Sequence, residues 1–422
     1  MESNVGRHVV LVDSYGTVGS ELAQGFQDAG YTPLRVQSTP EAPTGLRGQP
    51  DRYPYPVDIV HGGDLGATLA ALMPFGPVAV VAGTEPGVEL ADALSEALHP
   101  ITGAPTNGTA LSRARRDKYL MVERIKQQGL RGARQILVAD EDQLRNWHNE
   151  VGGTVIVKPL RSAANDGVTW CRNPEDAVQA FRRLNGRENI LSQCNDGVVA
   201  QECLIGMEYT VDTVSRDGVH QVCDIWESHR ISANGIPDLL VAWRLLLATG
   251  EVQDELVAYA RAVLDALGIR HGAAHAEIKM TPNGPCLVEV GARIAGANLP
   301  EGARMGTGRS QIDWTVDAYV RPETFARNSG RPYDLHQHVA RATMVAPGSG
   351  TLISYHSLEA IKELESFHDM QVRVNPGQQL TLTTDDLTYP IFVTLVHEVG
   401  ELVARDLWTL RYLDGVSFYE LA

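Results

Sequence analysis

The sequence predicts a chain of mixed class, α/β at its N-terminal end and α+β through its middle, followed by a β-rich C-terminal segment. Three observations predict it. The apolar run HVVLV at residues 8–12 leads through Gly16 and Gly19 into an amphipathic stretch at 21–29. The same pattern recurs as PVAVVA at 77–82, a Gly-Thr-Glu-Pro-Gly turn at 83–87 and a 3.6-periodic stretch at 88–98. Strand-turn-helix units repeated in this way read as a small doubly wound unit over residues 1 to about 105. From about 154 to 320 strands and helices alternate without that regularity, as hairpin-rich α+β. The polar, turn-rich FARNSGRPY at 325–333 reads as a boundary, after which strand patterns prevail until a helix near 398–413.

Composition narrows the function classes. The 422 residues are 43% hydrophobic and 21% charged, enough for two or three domains with an ample core. No apolar run approaches the ~18 residues of a membrane helix. Thirty-six basic against fifty-two acidic side chains leave a net charge of -16, so the surface as a whole repels nucleic acid and anionic lipid, and bound phosphate requires a local site. The opening MESNVGRHVVLVDS lacks the apolar core and cleavage site of a signal peptide. Cys171, Cys194, Cys203, Cys223 and Cys286 form an odd, scattered set without a C-x-x-C pair. Neither a disulfide framework nor a structural zinc site is indicated, and the cytoplasm is the expected compartment.

Within the front unit only Gly16-x-x-Gly19 is present, not G-x-G-x-x-G, so the glycines read as a tight turn with close helix packing rather than a dinucleotide site. Helix is expected over 112–128 and 251–267, and strand over 133–138, 154–157, 197–202, 208–215, 219–226 and from 336 to 345. Arg115-Arg116-Asp117-Lys118 opens the first of these helices and, read by itself, is a solvated helix face.

Three windows carry chemistry. In HAEIKMTPNGPCLVEVGAR, residues 275–293, alternation on both sides of Pro282-Asn283-Gly284 predicts a β-hairpin. Two-residue periodicity puts Glu277 with Lys279 on one face, and Leu287 with Glu289 on one face of the returning strand. Converging carboxylates suit a hard cation such as Mg²⁺, which takes one or two carboxylates plus substrate phosphates, and Arg293 follows four residues after Glu289. Lysine is scarce, five residues against thirty-one Arg, and Lys158 ends an apolar strand before Pro159 and the small, polar loop Ser162-Ala-Ala-Asn165-Asp166-Gly167. Such a loop can fold its N–H groups over phosphates, and an unpaired Lys at the end of a buried strand is costly. Third, VVAQECLIGME at 198–208 reads as strand, connector and strand, whose connector backbone can meet an adenine ring.

In this order, a helix-borne Lys, a strand Lys with a small-residue loop, Q-E-x-L-x-G-x-E, then E-x(11)-E-x(3)-R, the motifs resemble the ATP-grasp superfamily from about residue 112 to 296. ARRDKY, K-P-x-x-S-x-x-x-D-G-V and E-V-G-A-R-x-A-G resemble its L-amino acid ligases most. The resemblance implies an ATP-grasp fold preceded by a small Rossmann-like domain, divided as 1–110, 111–200 (lid and connecting helices), 201–325 (metal and substrate part) and a β-rich 326–422. It implies ATP and Mg²⁺ as cofactors, an ADP-forming carboxylate–amine ligation of two L-amino acids through an acyl phosphate, and a homodimer.

Position by position, it implies that Lys118 and Lys158 contact ATP phosphates and that the loop with Ser162, Asp166 and Gly167 closes over them. Gln201, Glu202 and Leu204 meet the adenine, and Glu208 holds the ribose. Glu277 and Glu289 ligate Mg²⁺, and Arg293 stabilises the transferring phosphoryl group. Where many members carry Asn two residues after the second metal-binding Glu, this chain has Gly291. Glu85, Glu227, His229, Gly296 and Ala297 are candidates for the amino-acid pocket, where the small Ala297 leaves space for a larger partner. Coupling of a non-amino carboxylic acid to an amino acid is an alternative, as is an ATP-binding protein without turnover. An oxidoreductase ranks last, because the glycine fingerprint is missing.

Overall fold

A computed structural model of the chain describes residues 7–47 and 51–422. Its N-terminal part runs β1 (His8–Val12), α1 (Gly16–Asp28), β2 (Thr32–Gln37), β3 (Asp58–Val60), α2 (Leu65–Leu72), β4 (Ala79–Ala82) and α3 (Val88–Thr102). The four strands pair in parallel in the order β3-β2-β1-β4. Val9 and Leu11 pack towards Leu22 and Phe26 of α1, whereas Val10 and Val12 pack with Leu94 and Leu98 of α3. A strand buried on both faces reads as an unbroken apolar run. Helix α1 begins at Gly16, one turn earlier than its expected start at 21. Its buried stripe includes Leu22 and Phe26, and Val18 packs against the same core.

The next part runs α4 (Lys118–Gln127), β5 (Gln135–Leu137), α5 (Glu141–Val151), β6 (Val155–Pro159), β7 (Thr169–Cys171), α6 (Pro174–Leu184) and β8 (Val198–Glu202). The strands form an antiparallel sheet in the order β5-β8-β6-β7. Val155 and Val157 pack with Leu144 of α5 and Phe181 of α6, so the pleat turns Ile156 and Lys158 to the other face. The helix expected from 112 starts only at Lys118, because the Asp117 carboxylate accepts from the N–H groups of Tyr119 and Leu120, both at 3.0 Å. Such a cap is worth about 1 kcal/mol. Arg115 and Arg116 are not a solvated face. Both are buried, paired with Asp92 and Glu85 from the N-terminal part.

The large sheet is built from β9 (Met207–Arg216), β10 (Val219–Ala233), β11 (Ile236–Leu245), helix α7 (Glu251–Ala266) on one face, β12 (Gly272–Thr281), β13 (Gly284–Gly291) and, after α8 (Leu299–Thr307), α9 (Gln311–Val320) and α10 (Pro322–Asn328), β14 (His338–Met344). Strand β10 continues past the expected 226 and turns at Asn234-Gly235, both with positive φ, into β11, which the sequence reading lacks. A two-residue Asn-Gly turn is a strong hairpin signal. The supposed boundary at 325–333 begins inside α10, where Phe325 is buried.

The remainder runs β15 (Gly350–Tyr355), α11 (Leu358–Lys362), β16 (Phe367–Val372), β17 (Gln379–Leu380), β18 (Ile391–His397), α12 (Gly400–Leu413) and β19 (Tyr419–Leu421). Strands β14, β18 and β16 extend the large sheet, whose full order is β13-β12-β9-β10-β11-β14-β18-β16, while β17-β15-β19 form a separate small sheet. One antiparallel sheet therefore runs across residue 325. No helix among the described residues is long and apolar enough to cross a membrane.

Candidate active site

The open face of the β5-β8-β6-β7 sheet, the large sheet and the loops after β1 and β4 enclose one cavity of about 770 Å³. Of the residues singled out in the sequence, Lys118, Lys158, Ser162, Asp166, Gln201, Glu202, Leu204, Glu208, Glu277, Glu289, Arg293, Glu85, Gly296 and Ala297 line it.

The hairpin puts Glu277 directly opposite Glu289 in the β12–β13 register, with a bulge immediately after. That bulge overturns the strict two-residue alternation. Leu287 goes into the hydrophobic core, while Val288 and Glu289 face the cavity. Glu289 pairs with the Lys118 ammonium, which also donates to the Ser162 carbonyl at 3.1 Å. Burial works to raise the Glu289 carboxyl, but Lys118 and Lys158 outweigh it and hold it below its ordinary value. Glu277 lies 3.4 Å from His275 Nε2, whose Nδ1 is 2.7 Å from buried Asp212. Burial disfavours the imidazolium, yet Asp212 and Glu277 win and push it up to about 9.

Lys158 is buried and its ammonium has no hydrogen-bond or ion-pair partner among the described residues. Burial, then the nearby Lys118, lowers it to about 8, partly offset by Glu289, Glu277 and Glu208. A partnerless buried cation is costly and is suited to an anion supplied from outside. The loop beyond it is tied down. Ser162 Oγ donates to Asp166 at 2.7 Å, and Asn165 Nδ2 lies 3.1 Å from both carboxylate oxygens of Asp386. Gly167 does not line the cavity. Its left-handed φ of 72° turns the loop beneath Leu184, where a Cβ would approach to 2.5 Å.

In the β8–β9 connector the side chains of Gln201 and Glu202 are engaged by Gln135 and Arg134. The N–H groups of Glu202 and Cys203 donate to the carbonyls of Arg134 and Thr154, and residues 201–204 line the cavity. Glu208 is buried against Arg230, with Lys279 Nζ at 3.9 Å. Burial raises its carboxyl and Arg230 pulls the other way.

Arg293 donates through Nε to Glu85 at 3.0 Å and through Nη1 to the Ile294 carbonyl at 3.0 Å. Glu85 also accepts from Arg116. Burial opposes its ionisation, but Arg116, Arg293 and Lys118 hold the carboxyl below its usual value. The unexpected Gly291 has its explanation here, because a Cβ would sit 2.8 Å from Glu85 Oε2 and 3.1 Å from Arg293 Cζ. Any side chain there would displace the pair. Ala297 and Asn298, both at positive φ, turn the chain into α8.

Glu227 and His229 are not part of the cavity. They alternate on β10 with Ser228 and Arg230, which do line it, so the pleat points them to the opposite face, where Glu227 pairs with Arg244 and lies 3.9 Å from His229. His275, Arg230 and Asp386 line the cavity and Arg116 holds Glu85 in place, and the sequence reading missed all four. Only Arg116 and His275 had a signal, as neighbours of Lys118 and Glu277.

No group of three or more His, Cys, Asp or Glu side chains able to hold a metal by itself occurs among the described residues. Glu277 and Glu289, opposed in the hairpin and lining the cavity, nevertheless fit Mg²⁺, which completes its octahedron with water and nucleotide phosphates rather than with an all-protein cage.

The model of the ATP-grasp domain matches residues 151–301. Dapdiamide A synthase of Enterobacter agglomerans is 32% identical over 422 residues, covering 98% of this chain and 97% of that protein. Among solved structures, an L-amino acid ligase from Bacillus licheniformis superposes with a TM-score of 0.74 at 17% identity, over 97% of this chain and 98% of that one. The carboxyaminoimidazole ribonucleotide synthase of Aspergillus clavatus, complexed with ATP, does so with a TM-score of 0.66 at 13% identity, over 97% and 98%. Fold, site and relatives together define an ATP-dependent, ADP-forming carbon–nitrogen ligase, an enzyme that joins a carboxylate to an amine. The chain belongs to the ATP-grasp family.

Proposed function

We propose that the enzyme joins two L-amino acids, with Mg²⁺ and ATP, through an acyl phosphate. The observation that carries the proposal is the convergence, in one cavity, of a partnerless Lys158, opposed Glu277 and Glu289, and Arg293 with part of its guanidinium free. A carboxylate is a poor electrophile. One of its oxygens attacks the γ-phosphorus, ADP leaves, and the resulting acyl phosphate is attacked by the amine of the second substrate. Phosphate then departs and the amine loses a proton.

Lys118 and Lys158 neutralise phosphate oxygens, residues 162–166 cover them, residues 201–204 hold the adenine, and Glu208 takes the ribose. Glu277 and Glu289 would hold Mg²⁺, which when bound supplies charge neutralisation at the phosphates. Arg293 faces the transferring phosphoryl group, and a well-placed cation in a water-excluded site lowers such a barrier by several kcal/mol. An α-amino group with a pKa near ~8 is already partly nucleophilic at neutral pH.

Phosphate release from ATP and Mg²⁺ with pooled and single amino acids, followed by mass spectrometry, tests this. The expected product has the mass of two amino acids minus water, and Arg293→Ala abolishes it. Absence of turnover in every amino-acid pool would contradict dipeptide formation. The second reading, a non-amino carboxylic acid coupled to an amino acid, is supported by turnover that requires such an acid.

A further inference from the structure

Far along the large sheet, Trp243 of β11, Arg341 of β14, Thr394 of β18 and Asp369 of β16 stand in one cross-strand row, and Phe392 and Gln371 pair in an adjoining row on the same face. Trp243, Arg341, Gln371, Phe392 and, one residue past β16, Arg373 line the same cavity as Arg293. The guanidiniums of Arg341 and Arg373 lie 5.1 and 5.8 Å from the centre of the Phe392 ring.

Neither guanidinium forms an ion pair among the described residues. Arg341, 7% exposed, donates once, to Thr394 Oγ1 at 3.0 Å, and its Nε is buried without any partner. Burial disfavours its charge, and Glu301 and Asp369 offset this only in part. The other acid on this wall, Asp386, is taken up by Asn165. Arg stays charged under any physiological condition, so a buried, unpaired guanidinium facing a ligand cavity calls for an anion from outside. Its planar fork matches a carboxylate.

We propose that Arg341 and Arg373, set against Phe392, form a subsite for a substrate carboxylate that is not activated, namely the α-carboxylate of the amino acid whose amine attacks. This rests on the reading that the second substrate is an amino acid. Activation consumes the donor's carboxylate beside Arg293, whereas the acceptor keeps its own into the product. Anchoring that group fixes the approach of the amine and keeps a competing carboxylate away from Arg293. A second carboxylate on the donor is the other source of the same chemistry.

The test is calorimetric titration of the full chain with Mg²⁺ and a non-hydrolysable ATP analogue. L-alanine, L-valine and L-phenylalanine are compared with their carboxamides, and succinate with succinamic acid. In the wild type at least one amino acid binds about tenfold or more tighter than its carboxamide. Arg341→Met brings that ratio to within about twofold while leaving the carboxamide's affinity in place, and the rim variant Arg373→Met, which spares the interior, reduces it less. Arg341→Lys, keeping charge without the fork, falls between.

Loss confined to the succinate pair supports the subsite and assigns it to the donor. An acid-to-carboxamide ratio that survives both Met variants, or no preference for any acid in the wild type, overturns the proposal. Product formation by the wild type reads the ligase proposal separately, so either can fail alone.

Discussion

Arg293 owes its orientation to a carboxylate 208 positions away in the chain, and Glu85 in turn needs Arg116 to stay ionised while buried. Motif spacing made Arg293 legible, but the pairing was not, because the partners meet only through the tertiary fold. The same pairing accounts for Gly291, which spacing alone could only register as a departure. Gly291→Asn is expected to lower kcat/KM by about 10²-fold, since displacing one charge-stabilising group costs roughly that much. Steady-state kinetics beside a thermal melt check this. A melting temperature close to wild type with the activity loss supports displacement of the Glu85–Arg293 pair, and full activity contradicts it. Lys158 supplies a second prediction. With its ammonium lowered to about 8, the charged fraction falls as pH rises through 8, so KM for ATP should climb across pH 7 to 9. Lys158→Arg, charged throughout, should lose that break.

At the scale of elements, the β12–β13 hairpin was legible from its alternation and its Asn-Gly turn, but its bulge was not. Period two assigns Leu287 and Glu289 to one face, and only packing against the core around Ile278 and Val290 reveals the shift. The β10–β11 hairpin carried its own Asn234-Gly235 signal and went unread. The buried ladder Asp212–His275–Glu277 ties the hairpin to β9. His275 has a folded-state pKa of about 9, above its unfolded value near 6.5. Its contribution to stability is therefore fully present below pH 6.5 and is lost as pH rises towards 9. Melting temperatures of the ligand-free protein should fall over that window, and His275→Gln should flatten the slope. An unchanged slope in the variant would contradict the ladder.

Across the whole molecule, the β5-β8-β6-β7 sheet and the eight-stranded sheet meet over one cavity, and the N-terminal part closes it with Glu85. The order of the lysines, the connector and the paired acids made the family legible, since each lies within a short window. The wall around Arg341 was illegible, because Trp243, Arg341, Phe392 and Arg373 come from four separate segments that only sheet order assembles. The central claim is that ATP activates a carboxylate as its acyl phosphate before an amine attacks. Carboxyl-¹⁸O-labelled amino acids, pooled and incubated with enzyme, Mg²⁺ and ATP, test it most directly through mass spectrometry of the released phosphate. One ¹⁸O per phosphate, in step with ADP and amide product, is the predicted result. Turnover that yields unlabelled phosphate, or AMP and pyrophosphate, would contradict it.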